Sequence, residues 1–178
     1  MSWKSTHNRY GSVAITIHWV SAVLIIGLVI AGFIAANTAD PVAKASILRV
    51  HAPLGSAVLA LTILRICWWM FADKKPAPVA GIPKFQESAS KVVHVLLYVT
   101  VVGLAGSGIA MLALSGAGDI LFGNAPGPLP DFWNYAPRYG HAILARLMVA
   151  LFFIHAGAAL YHQFVRKDRL LSRMGIGK

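Results

Sequence analysis

The chain alternates long apolar stretches with short polar connections. Four such stretches run from Val13 to Ala36, Val50 to Ala72, Val92 to Leu114 and Ala142 to Val165. A helix needs about 20 apolar residues to cross a hydrocarbon core about 30 Å thick, so each stretch predicts a transmembrane helix. What remains is loops and tails, too short for a separate soluble catalytic domain. The expected architecture is an all-α membrane protein, one four-helix bundle covering residues 1–178, with any activity inside the bundle. The first stretch reads as a true span and not a cleavable signal, because His18 and Trp19 lie near its start and Asn37-Thr38-Ala39-Asp40 is a poor cleavage site.

The polar punctuation is consistent with this. Lys74-Lys75-Pro76-Ala77-Pro78 and Gly81-Ile82-Pro83-Lys84 cannot be helical throughout, since proline lacks the N–H that a helix uses, and they predict a loop between spans two and three. The segment from Ser115 to Pro137 is rich in Gly and Pro. With Phe132, Trp133, Tyr135 and, just beyond it, Tyr139, it is expected at the opposite surface, its aromatics at headgroup depth. Trp68, Trp69 and Phe71 suit the inner interface, as do Trp3 and Tyr10. Gly27 and Gly32 in span one, and Gly103, Gly106 and Gly108 in span three, allow close helix approach or leave space for a flat cofactor.

Composition agrees with a membrane class: 57% of residues are hydrophobic and 12% charged, and the mean hydropathy is +0.66. A net charge of +10 could suggest nucleic acid, but the basic residues sort by side, as short cytoplasmic loops collect Lys and Arg. Lys4 and Arg9 precede span one; Lys74, Lys75, Lys84 and Lys91 lie between spans two and three; Arg166, Lys167, Arg169, Arg173 and Lys178 follow span four. The opposite loops hold Lys44, Arg49 and Arg138 against Asp40, Asp119 and Asp131. Both termini are therefore expected in the cytoplasm, and no nucleic-acid partner is implied. The lone cysteine, Cys67, allows no internal disulfide and no CxxCH haem attachment.

Six of the seven histidines fall within or at the edge of spans, where ionisable groups are costly and usually functional. His18 is in span one, His51 opens span two, His94 opens span three, and His141, His155 and His162 are in span four. His141 and His155 are fourteen residues apart, so they share a helix face to within about 40° at depths differing by about 21 Å. His162 continues the same stripe. Two cross-helix pairs follow, one per leaflet: His51 with His141 near the outer surface, and His18 with either His155 or His162 near the inner one. Zinc or copper wants three or four close ligands at spacings not found here. Haem b needs two axial imidazoles and an apolar slot, which such a bundle offers. A hydrogen-bonded interhelical histidine is the alternative for any one of them taken alone. Arg65 and Arg146 read either as partners for haem propionates or as side chains snorkelling to headgroups.

Ile17-His18-Trp19, His51, His94 followed by Leu96-Leu97-Tyr98, and His155-Ala156-Gly157-Ala158-Ala159-Leu160-Tyr161-His162 continuing to Arg173-Met174 form a combination that resembles the bacterial cytochrome b561 family. These are small di-haem membrane proteins related to the cytochrome b subunits of nickel hydrogenases and formate dehydrogenases. The resemblance covers essentially the whole chain and implies two haem b groups, one ligated by His18 and His155 and the other by His51 and His141; the family's fourteen-residue spacing selects His155. Lys84, His94 and His162 then resemble its cytoplasmic-side quinone pocket. The implied activity is that of a superoxide:ubiquinone oxidoreductase of the bacterial inner membrane. Superoxide would be oxidised at the periplasmic side, with Lys44, Arg49 and Arg138 attracting the anion, and no partner protein would be required. The alternatives are a membrane-anchor subunit passing electrons between quinone and a periplasmic dehydrogenase or cytochrome, and a haem-free small transporter using its histidines as a proton relay.

Overall fold

A computed structural model describes residues 2–79, 81–123 and 125–177; Lys178, counted above among the inner basic residues, lies outside them. The described residues are helical throughout their ordered elements, with no strand. Helix α1 is Ser12–Asn37, α2 Pro41–Cys67, α3 Lys84–Ser115, α4 Ala117–Phe122 and α5 Ala136–Tyr161. Helix α2 continues through a π-helical turn, Trp68–Ala72, and α5 through another, His162–Arg166. Short 3-10 turns occupy Phe132–Asn134 and Leu170–Met174. Four of these units are long and apolar enough to cross a membrane: Ser12–Asn37, Pro41–Ala72, Lys84–Ser115 and Ala136–Arg166.

The helices outrun the apolar stretches that predict them, and local chemistry explains where they start. Asp40 caps α2 by accepting from the backbone N–H groups of Val42 (3.1 Å) and Ala43 (3.3 Å), and Pro41 at the first position already has helical φ. The helix thus begins nine residues before Val50, so His51 lies inside it and not at its head. His94 likewise lies within α3, which starts at Lys84, and ends at Gly116 with φ 71°, a left-handed cap that glycine adopts without strain. The units Pro41–Ala72 and Lys84–Ser115 have 32 residues each, about 48 Å at 1.5 Å per residue, so their polar ends stand beyond a 30 Å core. Pro53 sits inside α2 without ending it.

Helix α1 packs on α2 and α3 on α5, and α2 joins the two pairs through α3. Among the described residues α5 makes no extensive backbone contact with α1 or α2, which leaves a slot between the pairs. Halfway along it, Val58, Val101 and Met148 are buried together against Leu24, Ile25, Leu28, Val29, Leu97 and Leu104. The outward faces are apolar and exposed, as at Val23, Ile30, Ile63, Val95, Val99, Phe153 and Ile154, which only a lipid solvent rewards.

The N-terminal segment, the α2–α3 connection and the C-terminal segment are fastened together at one end. Asp73 accepts from the Ser5 backbone N–H (3.0 Å), the Ser5 hydroxyl (2.7 Å) and the Trp68 indole (3.3 Å). Arg173 donates to the carbonyls of Asn8 (3.0 Å) and Ala77 (2.6 Å), and the Trp19 indole donates to the Met174 carbonyl (2.9 Å). At the other end, the segment between α3 and α5 folds into α4 and the Phe132–Asn134 turn.

Candidate functional site

Each end of the slot is crossed by one pair of imidazoles. The His51 and His141 rings are 6.3 Å apart, centroid to centroid, with their planes at 62°; the His18 and His155 rings are 6.1 Å apart at 63°. A metal held between two imidazoles at about 2.0 Å from each nitrogen, with the ring centroid about 1.1 Å behind it, would need about 6.2 Å between the centroids. Rotation about the metal–nitrogen axis leaves the interplanar angle free. The levels are set twice over: His51 and Arg65 on α2, and His141 and His155 on α5, are each fourteen residues apart, about 21 Å of rise, and Arg65 reaches His18 at the far level.

At the first level the donor set would suit an imidazole that holds a metal. Ser107 has one hydroxyl proton, and its best acceptor is the Gly103 carbonyl at 2.6 Å. Ser107 Oγ, 3.0 Å from His141 Nδ1, must therefore accept from that nitrogen. This assigns the proton of His141 to Nδ1 and leaves the Nε2 lone pair open, the arrangement that metal-bound histidines use. His51 Nδ1 is buried, with the Leu28 backbone as the polar group beside the ring. The rings stand in a cavity of about 700 Å³ that Gly32, Gly55 and Gly108 help to line, large enough for a porphyrin-sized ligand. A Cβ on Gly32 would come within 3.1 Å of His51 Cε1, and one on Gly108 within 3.6 Å of His141 Cε1; one on Gly55 would meet nothing within 4 Å. Val58, Val101 and Met148 also line the cavity, so the buried cluster forms its floor. Lys44, Arg138, Arg146 and Asp131 are near its mouth. Arg138 lies 4.5 Å from the Trp133 ring centroid, and Arg146 donates to the Ala142 carbonyl at 2.9 Å.

The second level is built differently. Arg65 Nη1 is 3.0 Å from His18 Nδ1, so this arginine points into the bundle and does not snorkel away from it. His94 stands beside the pair, its ring 5.1 Å from that of His155, too close for a metal bound between them. Its Nδ1 donates to the Ser90 carbonyl at 2.6 Å.

The residues expected to meet quinone are not joined to one another by a hydrogen bond or ring contact among the described residues. Lys84 is exposed at the first position of α3, His94 touches His155, and His162 Nδ1 is 2.5 Å from Asp168 Oδ2. Arg166 donates to the Gly81 carbonyl at 3.4 Å, which ties the end of α5 to the segment ahead of Lys84. Of the three basic residues expected around the outer pair, Lys44 and Arg138 line the cavity, whereas Arg49 donates to the Leu121 carbonyl at 3.0 Å and anchors α4. Sequence reasoning missed Ser107, Gly55 and Asp168. The one available signal was Asp168 itself, an acid set among Arg166, Lys167 and Arg169 in a chain with only six.

Residues 9–177 match the family described as prokaryotic cytochrome b561. Cytochrome b561 homolog 2 of Escherichia coli (strain K12) is 29% identical over 185 residues, covering 100% of this chain and 96% of the relative. A protein named probable superoxide oxidase CybB, from Yersinia pestis, is 30% identical, with 94% of this chain and 96% of the relative covered. Cytochrome b562 of Cereibacter sphaeroides is 32% identical over 178 residues, 93% of this chain and 94% of the relative. No solved structure matches the chain. A helical slot crossed by imidazoles and a family match over nearly its whole length lead to one assignment: the chain belongs to the prokaryotic cytochrome b561 family of membrane electron carriers, whose prosthetic group is haem b.

Proposed function

We propose that this chain holds two b haems and carries electrons from superoxide on the periplasmic side of a bacterial inner membrane to ubiquinone near the cytoplasmic side. The observation that carries the reading is the equal spacing of the two imidazole pairs, 6.3 Å for His51–His141 and 6.1 Å for His18–His155, at two depths of one slot. The chemistry a bound haem supplies is one-electron transfer by its iron. Everything else falls to the protein. His51 and His141 hold the outer group and His18 and His155 the inner one, while Val58, Val101 and Met148 keep water from the gap between them.

Superoxide as donor is supported by the name of the Yersinia pestis relative and by the lining of the outer cavity. Lys44, Arg138 and Arg146 against Asp131 leave a local positive potential, which raises the encounter rate of a small anion. Quinone as acceptor places Lys84, His94 and His162 around the inner group, where a cation or imidazole can bond a carbonyl oxygen and manage its proton. The single bundle domain and the cytoplasmic placement of both termini follow from the same reading and from the sorting of basic residues.

Haem content per chain tests the first claim: two are expected, and one or none overturns it. The purified chain in detergent should then reduce a short-chain ubiquinone when mixed with superoxide. A two-haem chain that is idle with superoxide but active with a soluble cytochrome would instead be a membrane anchor for another donor.

A further inference from the structure

The end of α5 carries a carboxylate–imidazole pair that the electron path does not use. After Tyr161 the helix widens into the His162–Arg166 turn, and the chain then reverses through Lys167 and Arg169, whose φ values are 58° and 56°. Neither is glycine, so both are in a left-handed conformation that side chains with a Cβ disfavour. Between them Asp168 is turned back under the helix. Its backbone N–H donates to the His162 carbonyl at 3.2 Å, and its Oδ2 accepts from His162 Nδ1 at 2.5 Å. The two side chains are only 13% and 18% exposed. Arg166 Nε is 3.9 Å from the same oxygen, and Oδ1 is buried with no hydrogen-bond partner among the described residues.

Strain on both sides of one residue persists only where the surroundings over-determine it, and what is held here is a carboxylate against an imidazole. An ionised carboxylate only accepts, so the shared proton belongs to Nδ1. The exchangeable valence of His162 is then Nε2, which has no hydrogen-bond partner among the described residues. This is the tautomer control by which a carboxylate prepares a histidine to move protons.

We infer that Asp168 is a positioning residue for proton transfer to quinone through His162. The inference rests on the reading of His162 as a quinone contact. Reduction of quinone to quinol takes two electrons, from the electron path, and two protons at the carbonyl oxygens. His162 passes each proton from Nε2, and water on the cytoplasmic side returns a proton to the same nitrogen. Asp168 keeps its charge throughout, holds Nδ1–H in place and stabilises the imidazolium between transfers.

The test uses the full chain with its haems, reduced beforehand and mixed with a short-chain ubiquinone, in wild type, Asp168→Asn, Asp168→Glu and His162→Gln. Asp168→Asn should slow haem oxidation about tenfold or more, with both haem potentials unchanged and the solvent deuterium isotope effect enlarged; Asp168→Glu should recover most of the rate. A rate within twofold of wild type in Asp168→Asn, with His162→Gln slow, overturns the role of Asp168 and leaves the quinone reading standing. Wild-type rates in both variants overturn both. Should Asp168→Asn lose its haems, imidazole nitrogen NMR of the wild type decides: His162 protonated at Nδ1 supports the inference, and the Nε2–H form refutes it.

Discussion

Arg65 Nη1 lies 3.0 Å from His18 Nδ1. At the other level His141 Nδ1 meets the neutral hydroxyl of Ser107 at 3.0 Å. The two levels are therefore electrostatically unequal, with a fixed positive charge beside one imidazole of the proposed inner pair. Positive charge near an iron centre favours the form with one more electron. Arg65→Gln is expected to lower one of two resolved midpoint potentials and leave the other, about 21 Å along the bundle, in place. A redox titration followed in the visible bands measures this; equal shifts in both haems would show that Arg65 acts on the fold at large.

Ser107 is the outer-level counterpart. Its Oγ is the acceptor that fixes His141 Nδ1–H, and a partner that orients a metal-holding imidazole in this way is commonly worth about 10–100-fold in metal-site affinity. Ser107→Ala should release the outer haem about that much more readily while the inner one is retained. Haem content before and after gel filtration reads the difference.

The helical architecture was legible because an apolar stretch of span length is seldom anything but a membrane helix, and so were the six bundle histidines, because imidazoles inside a bilayer are expensive. The ends of the helices were not legible. Asp40 and Lys84 start α2 and α3 within polar segments, so hydropathy placed His51 and His94 at helix heads when they lie inside. Spacing along α5 gave the depth of His155 and His162 but not their direction. Only the geometry puts His155 across from His18 and turns His162 toward Asp168, six residues on, through two backbone conformations that no sequence pattern announces.

Glycines in the slot divide by what surrounds them. A methyl group on Gly32 would press on the His51 ring at 3.1 Å, whereas one on Gly103 would meet the far end of Leu144 at 2.7 Å, a flexible side chain that can turn away. Gly32→Ala should disturb the outer haem alone, seen as a shifted or missing component of the reduced spectrum. Gly103→Ala should keep both haems, with a destabilisation of about 1–3 kcal/mol from overpacking.

Asp73 makes the terminal clasp pH-dependent. Burial would raise its carboxyl, but the hydrogen bonds from Ser5, Lys74 and Trp68 outweigh that and hold it below the ordinary carboxylate range. A carboxyl lowered in the folded state contributes stability above the unfolded value, about 3.9, and loses it as pH falls through the folded value. Trp68, whose indole donates to Asp73 and whose ring is 6.0 Å from that of Trp3, should report release of the N-terminal segment by a fluorescence change below about pH 4. In Asp73→Asn the change should already be present at neutral pH.

The inner ligand has three candidates on geometry, and substitution separates them. His155 faces His18 at 6.1 Å, His94 faces His155 at 5.1 Å, and His162 is engaged by Asp168. An iron between two imidazoles would need about 6.2 Å, so of these contacts only the first pair fits one, and among the described residues no second histidine ring meets His162. His155→Ala should therefore remove the inner haem and keep the outer one, while His94→Ala and His162→Ala keep both and slow only the oxidation of reduced haem by quinone. Pyridine haemochrome assays give the content and stopped-flow mixing gives the rate. Loss of a haem in His162→Ala, with two retained in His155→Ala, would move the inner ligand seven residues along α5 and with it the level at which electrons leave the bundle.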